Sequence, residues 1–282
     1  MRERTNRKIY ENGLKTAVYI AAFLTIALTV ILIGYIFLKG LPHLNWELVS
    51  TSPKHSTKHI GILPNIINTV YIVGLTLLIA LVLGVGSAIY LTEYAKNRKF
   101  INLVEFTTET LAGIPSIIYG LVGMLFFVRL LSLKVSLLSG ALTMTIVILP
   151  TIIRTTQESL KSVPSSYREG ALALGSGKWH MIKTVVLPSS IEGVVTGCIL
   201  AIGRIVGESA ALLFTAGMGT VIASNMISAF KMGGGTLTVG LYMYALERGE
   251  FDIAYAIAVV LLLLVLAINI STKVVKKIIK NK

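Results

Sequence analysis

Charged residues are scarce in this sequence, and their scarcity excludes an ordinary soluble domain. Only 14% of the 282 residues are Asp, Glu, Lys or Arg, whereas 54% are hydrophobic and the mean hydropathy is +0.79. The apolar residues are grouped in runs that are long enough to cross a bilayer as helices. The sequence therefore predicts an all-α, multi-pass membrane protein.

Cysteine is almost absent, because Cys198 is the only one in the chain. A single thiol in an apolar segment can form neither an intrachain disulfide nor a thiolate metal cluster. The four histidines are scattered, and only His55 and His59 have a spacing that would place them on one helix face. That pair alone is a weak indication of a metal site, so we expect this chain to bind no metal and no cofactor.

Acidic residues are also few, and membrane topology accounts for the positive net charge that results. The chain has 13 Asp and Glu residues against 26 Lys and Arg residues, which gives a net charge of +13. Most of the basic residues fall in the two termini and in segments that six spans would place on the cytoplasmic side. We therefore expect six transmembrane helices with N and C termini in the cytoplasm, and no nucleic-acid partner.

A nucleotide-binding motif is lacking as well. The nearest match to a P-loop is GSGKW at residues 175–179, but Lys178 is followed by Trp179 instead of Ser or Thr. Leu172 also occupies the position of the motif's first glycine. The chain is therefore not expected to be an enzyme, and any ATP and Mg²⁺ that drive it would be bound by a partner subunit.

Six apolar segments have the length of membrane spans. They are predicted at residues 17–38, 65–90, 103–131 and 136–153, from near Pro188 onwards, and at residues 251–270. The third segment is expected to form a polar interfacial helix followed by a glycine-rich span, and Pro150 to kink or end the fourth span. Residues 216–251 are expected outside the membrane, with a flexible glycine linker at 232–235.

The longest soluble-looking interruption of the apolar sequence is residues 165–188, SSYREGALALGSGKWHMIKTVVLP. Ser166 and Glu169 have the spacing of a capping box, which predicts that a helix begins there. Gly175 is placed to end that helix in a left-handed conformation. Taken alone, the segment is an amphipathic loop between the fourth and fifth spans.

The spacing within this loop resembles the EAA loop of ABC-importer permease subunits. The matching positions are Glu169, Gly170, Ala171, Gly175, Val185, Leu187 and Pro188, with Gly170 in place of an alanine. The resemblance implies a cytoplasmic coupling helix that sits in a cleft of an ATPase and transmits its motion. It also implies a division into residues 1–63 (N-terminal tail, peripheral first helix and external loop), 64–275 (permease core of five helices) and 276–282 (basic cytoplasmic tail).

Two charges lie within the predicted fifth span. Arg204 and Glu208 are one helical turn apart there, and a charge at the bilayer centre costs about 3 kcal/mol on insertion scales. Either the two neutralise each other as an i,i+4 pair, or they face a transport pathway. An arginine fork fits a tetrahedral oxyanion, and a carboxylate can accept a proton from a protonated one. Arg154, after Pro150, is either a second pathway residue or a topology anchor.

Four further segments are similar to PstA, a family of permease subunits of phosphate importers. They are residues 87–95, 110–128, 203–217 and 236–245. The resemblance implies that Arg204, Glu208 and Arg154 take part in phosphate passage. Ala211 stands where many relatives have proline, which leaves the helix geometry there open. Glu93, Glu105 and Glu109 are interpreted as interfacial charges.

The resemblance implies a permease subunit in a prokaryotic plasma membrane that moves inorganic phosphate into the cell. Its implied partners are a homologous second permease, a dimer of cytoplasmic ATPase subunits, an extracytoplasmic phosphate-binding protein and membrane lipids. The alternatives are the same machine carrying sulfate or molybdate, a proton-coupled secondary transporter that uses Glu208, or a membrane scaffold without transport activity.

Overall fold

A computed structural model describes residues 2–53, 60–220, 222 and 225–280, with all their side chains except those of residues 2–9, 226 and 275–280. Every regular element in these ranges is helical. The α-helices, in chain order, are α1 (Arg2–Gly40), α2 (Trp46–Ser50), α3 (Leu63–Ile89), α4 (Arg98–Ala112), α5 (Ser116–Gly123), α6 (Leu137–Ser162), α7 (Ser165–Ala173), α8 (Lys178–Met181), α9 (Leu187–Ser189), α10 (Ile191–Gly207), α11 (Ala210–Thr215), α12 (Met226–Lys231), α13 (Leu237–Tyr242) and α14 (Phe251–Lys280). Helical π turns extend four of them: Tyr90–Tyr94, Met124–Leu130, Ile182–Val186 and Met243–Glu247.

The apolar runs fold into four long helices and two bent pairs. The long helices that can cross a membrane are Tyr10–His43, Leu63–Tyr94, Leu137–Ser162 and Phe251–Val274. The bent pairs are Arg98–Ala112 with Ser116–Leu130, at 101°, and Lys178–Ser189 with Ile191–Gly207, at 64°. If each bent pair is counted as one span, these helices form the six predicted spans.

The first bent pair is the predicted interfacial helix and its glycine-rich span. The break falls between Ala112 and Ser116, at Gly113 and Pro115. Proline has no backbone N–H to continue the helical ladder, and it disfavours helical geometry in the residue before it. The bend lays α4 across the direction of α5, so the predicted division of this segment into two helices is confirmed, and the interfacial position of α4 stays a prediction.

The core is built around α6, whose apolar window is 67% buried. It packs against α3 and α10, and small residues make the approach close. A Cβ atom added at Gly84 would lie 2.7 Å from Ile152 Cγ2, and one at Gly193 would lie 2.3 Å from Ser159 Cβ. Close backbone packing of this kind holds helices together in lipid, where the lipid tails are as apolar as the side chains.

Helix α1 lies at the periphery, as the sequence predicted. No residue of its most apolar window is buried in the protein. It meets α14 near its C-terminal end, where the rings of Tyr35 and Tyr255 are 5.8 Å apart. Gly40 fits directly against the Tyr255 backbone, because an added Cβ would be 2.4 Å from the Tyr255 carbonyl oxygen.

Pro150 is predicted to kink or end the fourth span, and the second of these alternatives is wrong. Pro150 is buried inside α6, which continues without a break to Ser162. Proline removes only one intrahelical hydrogen bond, and neighbouring helices tolerate that loss in a packed span.

The predicted flexible linker at residues 232–235 is also wrong. Gly234 and Gly235 are buried, and their amides donate to the carbonyls of Ala216 (2.9 Å) and Gly219 (2.8 Å). The Asn65 side chain donates to the Gly235 carbonyl at 3.0 Å. Glycine is needed here for close packing, since a Cβ at Gly234 would lie 2.5 Å from Asn68 Nδ2.

Candidate functional site

The loop of residues 165–188 begins with α7, but not as a capping box. Pro164 is the N-cap residue, and no side chain caps the helix start. Helix α7 therefore starts at Ser165, which places Ser166 and Glu169 inside it. The predicted capping box is wrong because the proline preceding Ser165 moves the helix start ahead of the serine that was expected to cap it.

The C-terminal end of α7 is as predicted. Gly175 has φ +81°, in the left-handed region that favours glycine. Its amide donates to the Leu172 carbonyl at 3.0 Å, and the Ser176 amide donates to the Ala171 carbonyl at 3.1 Å. These two bonds form a Schellman motif, which fixes the end of the helix.

The loop presents an apolar surface to its surroundings. Leu174 is 91% exposed and Trp179 is 61% exposed. Glu169 and Gly170 are also exposed, and a Cβ added at Gly170 would meet nothing within 4 Å. Exposed apolar side chains on a polar loop are available for contact with a protein partner or a membrane surface.

A buried ion pair attaches this loop to the second span. Nε and Nη2 of Arg168 donate to Glu93 Oε1 at 3.1 and 2.8 Å, and the Glu93 side chain is only 7% exposed. Lys178 donates from Nζ to the Glu93 carbonyl and lies 4.8 Å from the centre of the Tyr94 ring. The interpretation of Glu93 as a simple interfacial charge therefore misses its role, because no local spacing links residues that are 75 positions apart.

The structure separates Arg204 from Glu208. Arg204 lies in the last turn of α10, which ends at Gly207, and Glu208 has an extended backbone with φ −84° and ψ 120°. The prediction that both lie on one helix, one turn apart, is wrong. Neither forms an ion pair with any residue that the structure describes, so mutual neutralisation does not explain them.

Glu208 instead orders the start of the next helix. Its Oε1 accepts a hydrogen bond from the Ala211 amide at 3.1 Å. A proline at position 211 would have no such donor, so the departure of Ala211 from the family pattern makes this contact possible. Glu208 is half-buried, and its carboxylate lies at the interruption between α10 and α11.

Thr238 also forms hydrogen bonds at this interruption. Its hydroxyl lies 3.0 Å from the Val206 carbonyl and 3.2 Å from the Glu208 carbonyl, both of which it can reach as a donor. Thr238 is buried, at 7% exposure. The sequence placed this residue in an external helix and gave no sign that it returns to the helix break.

Arg204 is half-buried on α10 and lies within electrostatic range of Tyr119 on α5. The Tyr119 hydroxyl is committed elsewhere, since it donates to the Leu111 carbonyl at 2.6 Å. A cation at a helix C-terminus is favoured by the helix dipole. Among the described residues, none accepts a hydrogen bond from the Arg204 guanidinium.

Arg154 lies in a different environment. Its Nε is 3.1 Å from Glu158 Oε1, and its Nη1 is 3.8 Å from Glu109 Oε1. These residues line an open cleft of about 410 Å³ between α4 and α6. Glu105 lines the same cleft and accepts from Lys161 Nζ at 3.1 Å. Arg154 is thus a paired and exposed cation, unlike Arg204.

Helices α6 and α10, which carry Arg154 and Arg204 respectively, run antiparallel. An added Cβ at Gly193 would meet Ser159, and one at Gly197 would lie 2.3 Å from Thr155 Oγ1. Arg154 is next to Thr155, and Arg204 is seven residues beyond Gly197, which is about 10 Å along the axis. The two arginines therefore lie on one helix pair without touching. His55 and His59 lie outside the described residues.

The site thus combines two bent helix pairs, a folded loop with exposed apolar side chains, and an arginine that has no carboxylate partner among the described residues. The chain belongs to the family of binding-protein-dependent transport system inner membrane components, whose model matches residues 80–282. It is accordingly a multi-pass protein of the prokaryotic plasma membrane.

The chain is similar to several bacterial proteins along most of their length. It is 39% identical over 216 residues to the probable ABC transporter permease protein YqgI of Bacillus subtilis, covering 76% of this chain and 73% of that protein. It is 34% identical over 240 residues to the phosphate transport system permease protein PstA of Haemophilus influenzae, covering 83% and 82%. For PstA of Pasteurella multocida the identity is 29% over 272 residues, covering 95% of each.

Solved ABC transporters share the fold. A chain of the MetNI methionine transporter superposes with a TM-score of 0.63 at 18% identity, covering 77% of this chain and 95% of that chain. A chain of a bacterial alginate transporter superposes with a TM-score of 0.66 at 13% identity, covering 96% and 94%. At these identities the likeness establishes the fold alone.

Proposed function

We propose that this chain is one of two permease subunits of an ATP-driven importer that moves inorganic phosphate into the cytoplasm. The observation that carries the proposal is Arg204, a guanidinium in the last turn of a membrane-spanning helix with no carboxylate partner among the described residues. The names of the PstA relatives, at 34% and 29% identity, support phosphate as the solute.

Arg204 lowers the cost of passing an anion through a medium of low dielectric constant. Its planar fork can donate two hydrogen bonds to a tetrahedral oxyanion. Glu208, beside the helix break, accepts a hydrogen bond from the hydroxyl of a protonated oxyanion but repels a fully ionised one. Together the two side chains favour hydrogen phosphate over sulfate, and the chain carries out no covalent chemistry.

Arg154 serves the pathway in a different way, as a cation that already has carboxylate partners. An anion that reaches it has to displace Glu109 or Glu158. That exchange makes binding weak and release easy, which suits a position near the cytoplasmic exit. Exposed pairs of this type contribute little to stability, so the exchange costs little.

The energy of ATP hydrolysis by the partner subunits is transmitted to this chain through the loop of residues 165–188. The residues assigned to ATPase coupling are Glu169, Gly170, Ala171 and Gly175. Exposed Leu174 and Trp179 give the loop an apolar surface for a cytoplasmic ATPase dimer, which binds ATP and Mg²⁺. A homologous second permease, an extracytoplasmic phosphate-binding protein and membrane lipids complete the assembly, and nucleic acid has no part in it.

The test is uptake of labelled phosphate by phosphate-starved cells that lack this chain. The cells are complemented with the wild type, with Arg204→Ala, or with Arg129→Ala as a control that removes an exposed arginine. We expect the wild type and the control to restore uptake in the presence of excess sulfate, and Arg204→Ala to reduce it at least about tenfold, the effect of losing a hydrogen bond to a charged group.

The alternatives give different results in the same assay. An importer of sulfate or molybdate would not restore phosphate uptake, although the ATPase partner is present. A proton-coupled secondary transporter would restore uptake in cells without the ATPase. A scaffold would leave uptake unchanged on Arg204→Ala.

A further inference from the structure

The Arg168 side chain donates four hydrogen bonds within the chain. Besides the two bonds to Glu93, Nη1 donates to the Val163 carbonyl at 2.7 Å and Nη2 to the Leu160 carbonyl at 2.8 Å. The Arg168 side chain is 21% exposed and that of Glu93 is 7% exposed. One guanidinium therefore has partners on three separate parts of the chain.

These partners lie on two spans and on the link that leads into α7. Glu93 is in the π turn that extends α3, Leu160 is in the last turn of α6, and Val163 is in the link between α6 and α7. Lys178 adds a second cation, from the start of α8, on the Glu93 carbonyl. The contacts thus join the loop to the ends of the second and fourth spans.

Apolar side chains surround the contacts that Arg168 makes with Glu93 and with the end of α6. Ala88 and Leu160 are fully buried, as are Ile182 and Val186 of the returning helix, and Met181 is 2% exposed. Low local polarity strengthens the attraction between unlike charges, and it makes an unpaired charge costly. The other ion pairs described here, such as Arg154 with Glu158 and Lys161 with Glu105, involve more exposed side chains and are weak by comparison.

We propose that Glu93 and Arg168 are positioning residues that make α7, the end of α3 and the end of α6 one rigid unit. A displacement of α7 by the ATPase then moves both spans together instead of bending the loop. This inference rests on the proposed function. It assigns a coupling role to Glu93, a residue outside the loop that contacts the ATPase.

The test uses the full importer in proteoliposomes with ATP inside, the binding protein outside and labelled phosphate. Glu93→Gln is compared with the wild type and with Asp252→Asn, a matched carboxylate-to-amide change in the exposed pair with His43. We expect Glu93→Gln to assemble with its partners but to move at least about fivefold less phosphate per ATP hydrolysed, the lower end of measured couplings between sites. Asp252→Asn should keep the wild-type ratio.

The amount of phosphate moved per ATP hydrolysed distinguishes a positioning role of Glu93 and Arg168 from a role in stability alone. If the pair only stabilises the fold, Glu93→Gln will lower the yield of complex and leave phosphate per ATP unchanged, which overturns the inference. If the wild type itself moves no phosphate, the proposed function has failed instead.

A covalent bridge tests rigidity directly. Because Cys198 is the only cysteine, the changes Cys198→Ala, Glu93→Cys and Arg168→Cys leave two thiols that a short bismaleimide can connect. If positions 93 and 168 stay together throughout the cycle, we expect the bridge to restore the amount of phosphate moved per ATP hydrolysed, relative to the unbridged variant. If the bridge stops both hydrolysis and uptake, the contact has to open during the cycle and the rigid unit is excluded.

Discussion

At the scale of single residues, two side chains form hydrogen bonds at the break between α10 and α11. Glu208 accepts the Ala211 amide, and the Thr238 hydroxyl reaches the carbonyls of Val206 and Glu208. A helix that ends inside a membrane leaves carbonyls that water cannot satisfy. The hydroxyl of Thr238 therefore stabilises the interruption beside Arg204.

Replacement of Thr238 by valine removes that donor while it preserves the shape of the side chain. We expect Thr238→Val to lower the free energy of unfolding by about 1–3 kcal/mol, because buried carbonyls lose their partner. Thermal unfolding of the detergent-solubilised protein measures the loss. Thr196→Val is the matched control, since Thr196 is exposed and bonds only within its own helix. Equal melting temperatures for the two variants would contradict the assigned role of Thr238.

At the scale of elements, α7 is too short to be stable alone. Isolated helices of fewer than about 12 residues are marginal in water, and α7 has nine. It begins after Pro164, it ends at Gly175 in a left-handed conformation, and Arg168 bonds it to neighbouring helices. Its geometry is fixed by its two ends and by its docking, and its exposed face remains available to a partner.

Position 175 therefore tests the coupling assignment. The position faces open space, because an added Cβ at Gly175 would meet no atom within 4 Å. We expect Gly175→Trp to weaken copurification with the ATPase at least about tenfold through strain at φ +81° and bulk at the interface. Gly175→Asn should be milder, because asparagine tolerates this conformation.

The control for bulk is Gly13→Trp on α1, a position with open space around it. This change should leave copurification at the wild-type level. If Gly175→Trp copurifies as well as Gly13→Trp does, the coupling loop has been assigned to the wrong segment.

At the scale of the whole molecule, counting each bent pair as one span gives six spans, and an even number predicts both ends of the chain on the same side of the membrane. Basic residues are concentrated near those ends, which favours the cytoplasmic side. Helices α1 and α14 lie together at one edge, where Tyr35 meets Tyr255. The remaining spans pack around α6, which is the most buried of the long helices.

The sidedness can be measured with single cysteines introduced in a Cys198→Ala background. We expect a membrane-impermeant maleimide to label Lys231→Cys on intact spheroplasts, and to label Lys15→Cys and Lys273→Cys only after the membrane is opened. All three positions are exposed in the fold. Labelling of position 15 or 273 from outside would place that terminus on the other side.

Much of the fold is determined by the sequence itself, because the signals are local. Apolar runs specify the spans, Pro115 specifies the bend after α4, and Gly175 specifies the end of α7. The same local patterns identify Arg204 as a charge within a span. Each of these features depends on residues within one or two helical turns, where spacing and backbone conformation are sufficient.

Only the tertiary structure decided how distant residues meet. Glu93 and Arg168 are 75 positions apart, and Thr238 reaches a carbonyl 32 positions away. The buried glycines near residue 234 and the unbroken helix through Pro150 likewise depend on neighbours that no local pattern specifies. The local sequence specifies the helices, but the packing of those helices decides which distant polar groups meet. Because a buried polar group without a partner is costly, these groups are paired in the folded protein.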